Sequence, residues 1–152
     1  MADAVSTWEP HISTARERVG VNSTVLFASE GIYESTFNLA ATREFARTRG
    51  ETVKKLLRAL VRAEQFFAKD AASGEKIVAE SLKRSHEETR QLLSKHHVAL
   101  SLDQNLIVLM EDESRWAIRN KVAEASGAPN FLNALYIDGL AAVKPRSVTV
   151  IH

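Results

Sequence analysis

The run His86-Glu87-Glu88-Thr89-Arg90 opens like the helix of a zinc protease, where two histidines four residues apart share one face and hold the metal. Arg90 stands where the second histidine belongs, and a guanidinium cannot ligate a cation. Ser85 and Glu88 have the spacing of a capping box instead, so the segment reads as a solvated helix start. His96 and His97 are neighbours, so on a helix their rings point about 100° apart and read as a frayed helix end. The cluster Glu111-Asp112-Glu113-Ser114-Arg115 is acidic but lacks the glycine turn and alternating oxygens of a calcium loop. It falls inside a helical period and reads as a charged face. No glycine-rich phosphate loop and no serine elbow is found in the sequence. The expectation is a non-enzymatic chain with no catalytic residue, no metal and no cofactor.

A second constellation could bind rather than react. Trp8, Glu9, Tyr33, Thr36 and Asn38 offer an aromatic face, a carboxylate and hydroxyl or amide groups, the ingredients of a small-molecule pocket. In open α/β sheets ligands lie beyond strand ends, where Trp8 and Asn38 would sit. The plainer reading puts Trp8 and Phe37 in the core and lets Glu9 serve a helix start, where a carboxylate meets the positive end of the dipole. Composition alone favours that plainer reading.

The elements that must position these residues follow from pattern. Ala4–Trp8, Thr24–Ala28 and Thr36–Thr42 are short apolar runs with the composition of strands. His11–Val19 reads as a helix closed by Gly20. The rest is helical. Val53, Leu56, Leu57, Leu60, Val61, Glu64 and Phe67 recur at helical spacing between Glu51 and Lys69, an apolar stripe interrupted by Glu64. Further helices are expected over Gly74–Lys83, from His86 to about His96, and from a box formed by Ser101 and Gln104 to about Glu124. In that longest helix Leu102, Leu106, Leu109, Glu113 and Trp116 follow the period. Phe131–Val143 reads as a last helix interrupted near Gly139, followed by an extended tail.

The chain has 152 residues, 45% hydrophobic and 26% charged, in the range of ordinary globular proteins. Twenty basic residues against 19 acidic ones give a net charge of +1, without the basic excess of a nucleic-acid binder. There is no cysteine, which removes disulfides and thiolate chemistry. No apolar run approaches the ~20 residues that span a bilayer, and no signal-peptide pattern is present in the sequence.

Five stretches, ADAVSTWEPHISTAR, GIYESTFNLAATREFA, VKKLLRALVRAEQFF, SLDQNLIVLMEDESRWAIRN and PNFLNALYIDGLAAVKPRSVTVI, resemble in that order the second half of a bacterial solute-binding protein. The family is the nitrate/sulfonate/taurine class of ABC-transporter periplasmic binding proteins, related to the thiamine-precursor binders. The resemblance implies an α/β chain: the predominantly helical C-terminal portion of a two-lobed type II fold, with about three short strands. Residues 1–35 would end the second lobe, and residues 36–152 would carry the hinge return and the C-terminal part of the first. Ser35, Thr36, Phe37 and Asn38 would form the hinge, and Trp8 and Glu9 would border the cleft. The implied partners are a small solute and the membrane permease, and the implied location is the periplasm. Strands cut from their neighbours leave unpaired backbone, so a homodimer is also expected. Two other readings compete: a helical module that binds protein through its apolar stripes, and a pyrimidine-synthase relative using His11.

Overall fold

The computed structural model describes residues 3–27 and 35–151. They form two compact units. The first comprises residues 1–35 and 72–97, the second residues 36–71 and 98–152. The chain therefore passes between units at 35/36, at 71/72 and at 97/98.

In the first unit, α1 (His11–Val19) ends on Gly20, whose φ of 101° lies where a side chain is strained. Nothing on α1 is buried. The Glu9–Pro10 peptide before it is cis. α4 (Ala71–Leu82) is closed by the Arg84 amide donating back to the Ala79 carbonyl at 3.0 Å, with Lys83 in the left-handed region at φ 53°. α5 (His86–Leu93) begins with the expected capping box. The Glu88 amide donates to Ser85 Oγ and the Glu88 carboxylate accepts from the Ser85 amide. Thr89, one turn inside, is wholly buried and satisfies its hydroxyl on the Ser85 carbonyl at 2.9 Å. Arg90 reaches Glu75, linking α5 to α4.

The second unit holds nearly all the buried apolar side chains. α2 (Arg43–Thr48) is capped by Thr42, whose hydroxyl accepts from the Phe45 amide. α3 (Gly50–Lys69) packs its Leu57 against α7 (Ile137–Ala141), where Leu140 is only 2% exposed. The approach is close: a Cβ on Gly139 would stand 2.7 Å from the Tyr136 ring and 3.3 Å from Leu57. α6 (Gln104–Arg119) buries Leu106 and Ile107. Val150, in the tail, is buried in the same unit.

No strand forms among the described residues, so the expected α/β class with three short strands is not what the chain adopts. The described residues of Ala4–Trp8, Thr24–Ala28 and Thr36–Thr42 run without helix or ladder; Ala28 lies outside them. The reason is the absence of neighbours. β-branched and aromatic composition favours a pleated surface only when a second strand supplies the other half of each hydrogen bond. Among the described residues one β-bridge forms, parallel between Leu102 and Val148, where the expected tail does pair over one residue.

Several helix boundaries also differ, and α4 runs over Ala71–Leu82 rather than the expected Gly74–Lys83. The α6 cap is Asp103, whose carboxylate accepts from the Leu106 amide, while the expected cap Ser101 supports Asp103 through its hydroxyl. α6 stops at Arg119 because Lys121 turns left-handed at φ 57° and the Val122 amide closes on Ala117. α5 stops at Leu93, short of His96. The last helix breaks at Leu135 and Tyr136, leaving a 3-10 turn (Phe131–Ala134) before α7, and Gly139 lies within α7 rather than at the break.

Candidate functional site

The Trp-Glu-Pro corner of the first unit is the most organised polar place that contains a candidate residue. Trp8 ends an unpaired segment, and its carbonyl accepts from the His11 and Ile12 amides, which fixes the turn into α1. Its ring meets the His11 ring edge-on, with centroids 5.8 Å apart, and remains 68% exposed. An indole in that position is a surface, not core.

Glu9 is the better-held residue. One carboxylate oxygen accepts from the Ser13 amide at 3.2 Å and the Ser13 hydroxyl at 2.7 Å. The other accepts from Lys95 Nζ at 3.0 Å, across 86 residues of sequence. Partial burial works against the charge, but the bonds from Ser13 and Lys95 outweigh it and hold the carboxyl below its ordinary value. Glu9 therefore does serve the first turn of α1, as the plainer reading expects, and also ties it to the end of α5.

Between α1 and the α5 end lies a groove of about 360 Å³. Glu9, Ser13, Thr14 and Glu17 line it from the α1 side, and Arg84, Glu88, Gln91, Leu92, Ser94 and Lys95 from the residues in and around α5. Two cations and three carboxylates share this small space. Glu88 is engaged by its cap, where the Ser85 bonds keep its carboxyl below the ordinary value. Lys95 keeps more than half of its side chain in solvent. The groove can accept hydrogen-bonding groups of both signs.

The remaining candidates fall elsewhere. Thr36 and Asn38 belong to the second unit, where the Asn38 amide donates to Thr36 Oγ1 at 3.1 Å and both stay exposed. Phe37 is 83% exposed, so neither it nor Trp8 is a core residue. Ser35 and Thr36 flank the division between units at 35/36. Tyr33 lies outside the described residues. Neither unit by itself assembles the five candidates. Ser13 carried a readable signal, standing four residues beyond Glu9 at helix spacing. Lys95 carried none, since only the tertiary fold brings it to the corner.

Among the described residues no group of three His, Asp or Glu side chains could hold a metal ion, and no helix is long and apolar enough to cross a membrane. No family model, no curated protein and no solved structure matches this chain.

Proposed function

We propose that the chain acts without catalysis as a solute-binding component of a periplasmic ABC importer of the nitrate/sulfonate/taurine class, taking a small anionic or sulfonate-like solute and handing it to the permease. The observation that carries this reading is the Trp8–Glu9 corner. It sits in the first of the five resembling stretches, presents an open indole face, and is followed at once by a groove edged with Lys95 and Arg84. The groove's two cationic side chains, set among Glu9, Glu17 and Glu88, would supply charge-assisted hydrogen bonds to an oxyanion. The exposed Trp8 indole, which does not line the groove, offers a flat apolar face at the neighbouring corner. The groove volume falls within the range of small-molecule sites.

A ligand that binds only the folded state raises its melting temperature. Nitrate, an alkanesulfonate, taurine and a thiamine precursor, each added in excess to the whole chain, are therefore compared by thermal shift. The reading expects a concentration-dependent rise with at least one of them. Unchanged melting with all four counts against it.

A second reading has one observation in its favour. Leu56 and Leu60 of α3 and Trp116 of α6 face solvent although they belong to apolar helical patterns. A helical module that binds another protein would use such a row. That reading predicts that Leu60→Glu abolishes partner capture and that no solute changes the melting temperature.

A further inference from the structure

The first unit carries an apolar stretch that none of its described residues pairs with. After α1 the chain makes a 3-10 turn at Val21–Ser23 and leaves helical geometry at Thr24, with φ −128° and ψ 142°. The start of this segment is held. Arg16 donates to Thr24 Oγ1 at 3.3 Å, and the Thr24 hydroxyl donates to the Val21 carbonyl at 3.0 Å. Beyond that anchor Val25, Leu26 and Phe27 make no hydrogen bond to any described residue, and Val25 is 80% and Phe27 90% exposed. Apolar side chains and unpaired amides on one short stretch are the two features of an open strand edge.

We infer that Thr24–Phe27 is the pairing edge of a homodimer, in which the segments of two copies of this chain form an antiparallel ladder about a twofold axis. Three considerations select a second copy as the occupant, and none depends on which solute, if any, the corner binds. The segment carries no charge, so identical edges meet without like-charge repulsion. Two copies of one edge, related by a twofold axis, present each other with matching donors and acceptors. The area is of the right order as well. Phe27 brings about 200 Å² toward the ~800 Å² that each partner of a stable complex buries. Val19, Val21 and Val25, all mostly exposed, add to it. Because Arg16 and the 3-10 turn already fix the start of the segment, less ordering cost remains for pairing.

Sedimentation of the whole chain across the micromolar range, with hydrogen exchange of the Val25, Leu26 and Phe27 amides, tests this. The wild type is expected to dimerise and to slow exchange at these amides. Leu26→Pro removes a ladder donor from a segment that is unpaired within its own copy. It should weaken association at least tenfold with unchanged helix content by circular dichroism. If Leu26→Pro does not fold, Phe27→Lys leaves the backbone intact, replaces the largest apolar side chain of the edge with a charge that pairing would desolvate and should likewise weaken association at least tenfold. A wild type that stays monomeric throughout overturns the inference. So does a dimer whose affinity neither variant alters, because another surface then forms it. Protection of these amides in a monomer by an unrelated uncharged peptide would assign the edge to a different occupant.

Discussion

Each unit is tied across a long stretch of sequence by one glutamate and one lysine, and the two ties differ in what surrounds them. In the second unit Lys144 Nζ lies 2.7 and 2.8 Å from the two Glu64 oxygens and also donates to the Leu100 carbonyl at 3.0 Å, while the Leu100 amide donates to Glu64. Both side chains are about three-quarters buried, and Leu57, Leu106, Ile107, Leu140 and Val150 form the apolar core of the same unit. In the first unit Lys95 holds Glu9 with a single contact and stays largely in water. Among the described residues the buried apolar side chains of that unit reduce to Ala79, while Val5, Trp8, Val25 and Phe27 are exposed. The same pair of residue types thus completes a core in one place and edges an open groove in the other. Both glutamates are mostly buried, Glu9 at 15% and Glu64 at 22% side-chain exposure, so the lesson lies in the lysines. Lys144 is structural because its remaining donors are satisfied within the unit, and Lys95 is available because it faces solvent.

That contrast can be broken by mutation, because each unit contains one of the two tryptophans: Trp8 in the first, Trp116 in the second. Fluorescence in a Trp8→Phe background then reports the second unit, and in a Trp116→Phe background the first. Leu140→Ala should have the largest effect, lowering the stability of the second unit by about 3 kcal/mol in urea unfolding, through lost burial and the cavity left behind. Lys144→Met should cost about 2 kcal/mol there, because it strands a mostly buried carboxylate. This is less than the cost at a fully buried pair because both groups retain some solvent. An equal loss from Lys95→Met in the first unit would erase the distinction between the two ties.

The pH dependence sharpens the comparison further. The Glu9 carboxyl is depressed below its ordinary 4.5 in the folded chain, so its contribution is fully present above that value and is lost as the pH falls through the folded one. Glu9→Gln should flatten this part of the acid limb in the first unit, an effect of about 1 kcal/mol or less given how exposed Lys95 is. Glu88, depressed by its Ser85 bonds, leaves a residual slope in the same direction. The smallest effect has the opposite sign. Lys83 ends α4 and Lys121 ends α6 in the left-handed region, where glycine is less strained. Lys83→Gly and Lys121→Gly should each stabilise by about 0.5 kcal/mol, read as a shifted urea midpoint.

Local signals were legible where the physics is local. Gly20 closes α1 and Ser85 with Glu88 opens α5, because a left-handed terminus and a capping box are decided within four residues. The interruption of the α3 stripe by Glu64 was visible as an anomaly, but its partner Lys144 lies 80 residues on and has no sequence signature. The strands were misjudged for the same reason in reverse. Thr24–Phe27 has a strand's composition, yet a ladder is a property of two segments, and the described residues provide no second one. At the candidate site Trp8 and Glu9 stood out by type. The groove itself depends on Lys95 and Arg84, which only folding brings beside them.

The central claim is that the first unit presents a solute site at the Trp8–Glu9 corner while the second supplies the core. Titrating the Trp116→Phe chain with nitrate, an alkanesulfonate and taurine while recording Trp8 emission tests it most directly. The account predicts a saturable change in emission with at least one solute, weakened at least tenfold by Lys95→Ala. Emission that stays flat with every solute, or a response that Lys95→Ala leaves intact, would contradict it.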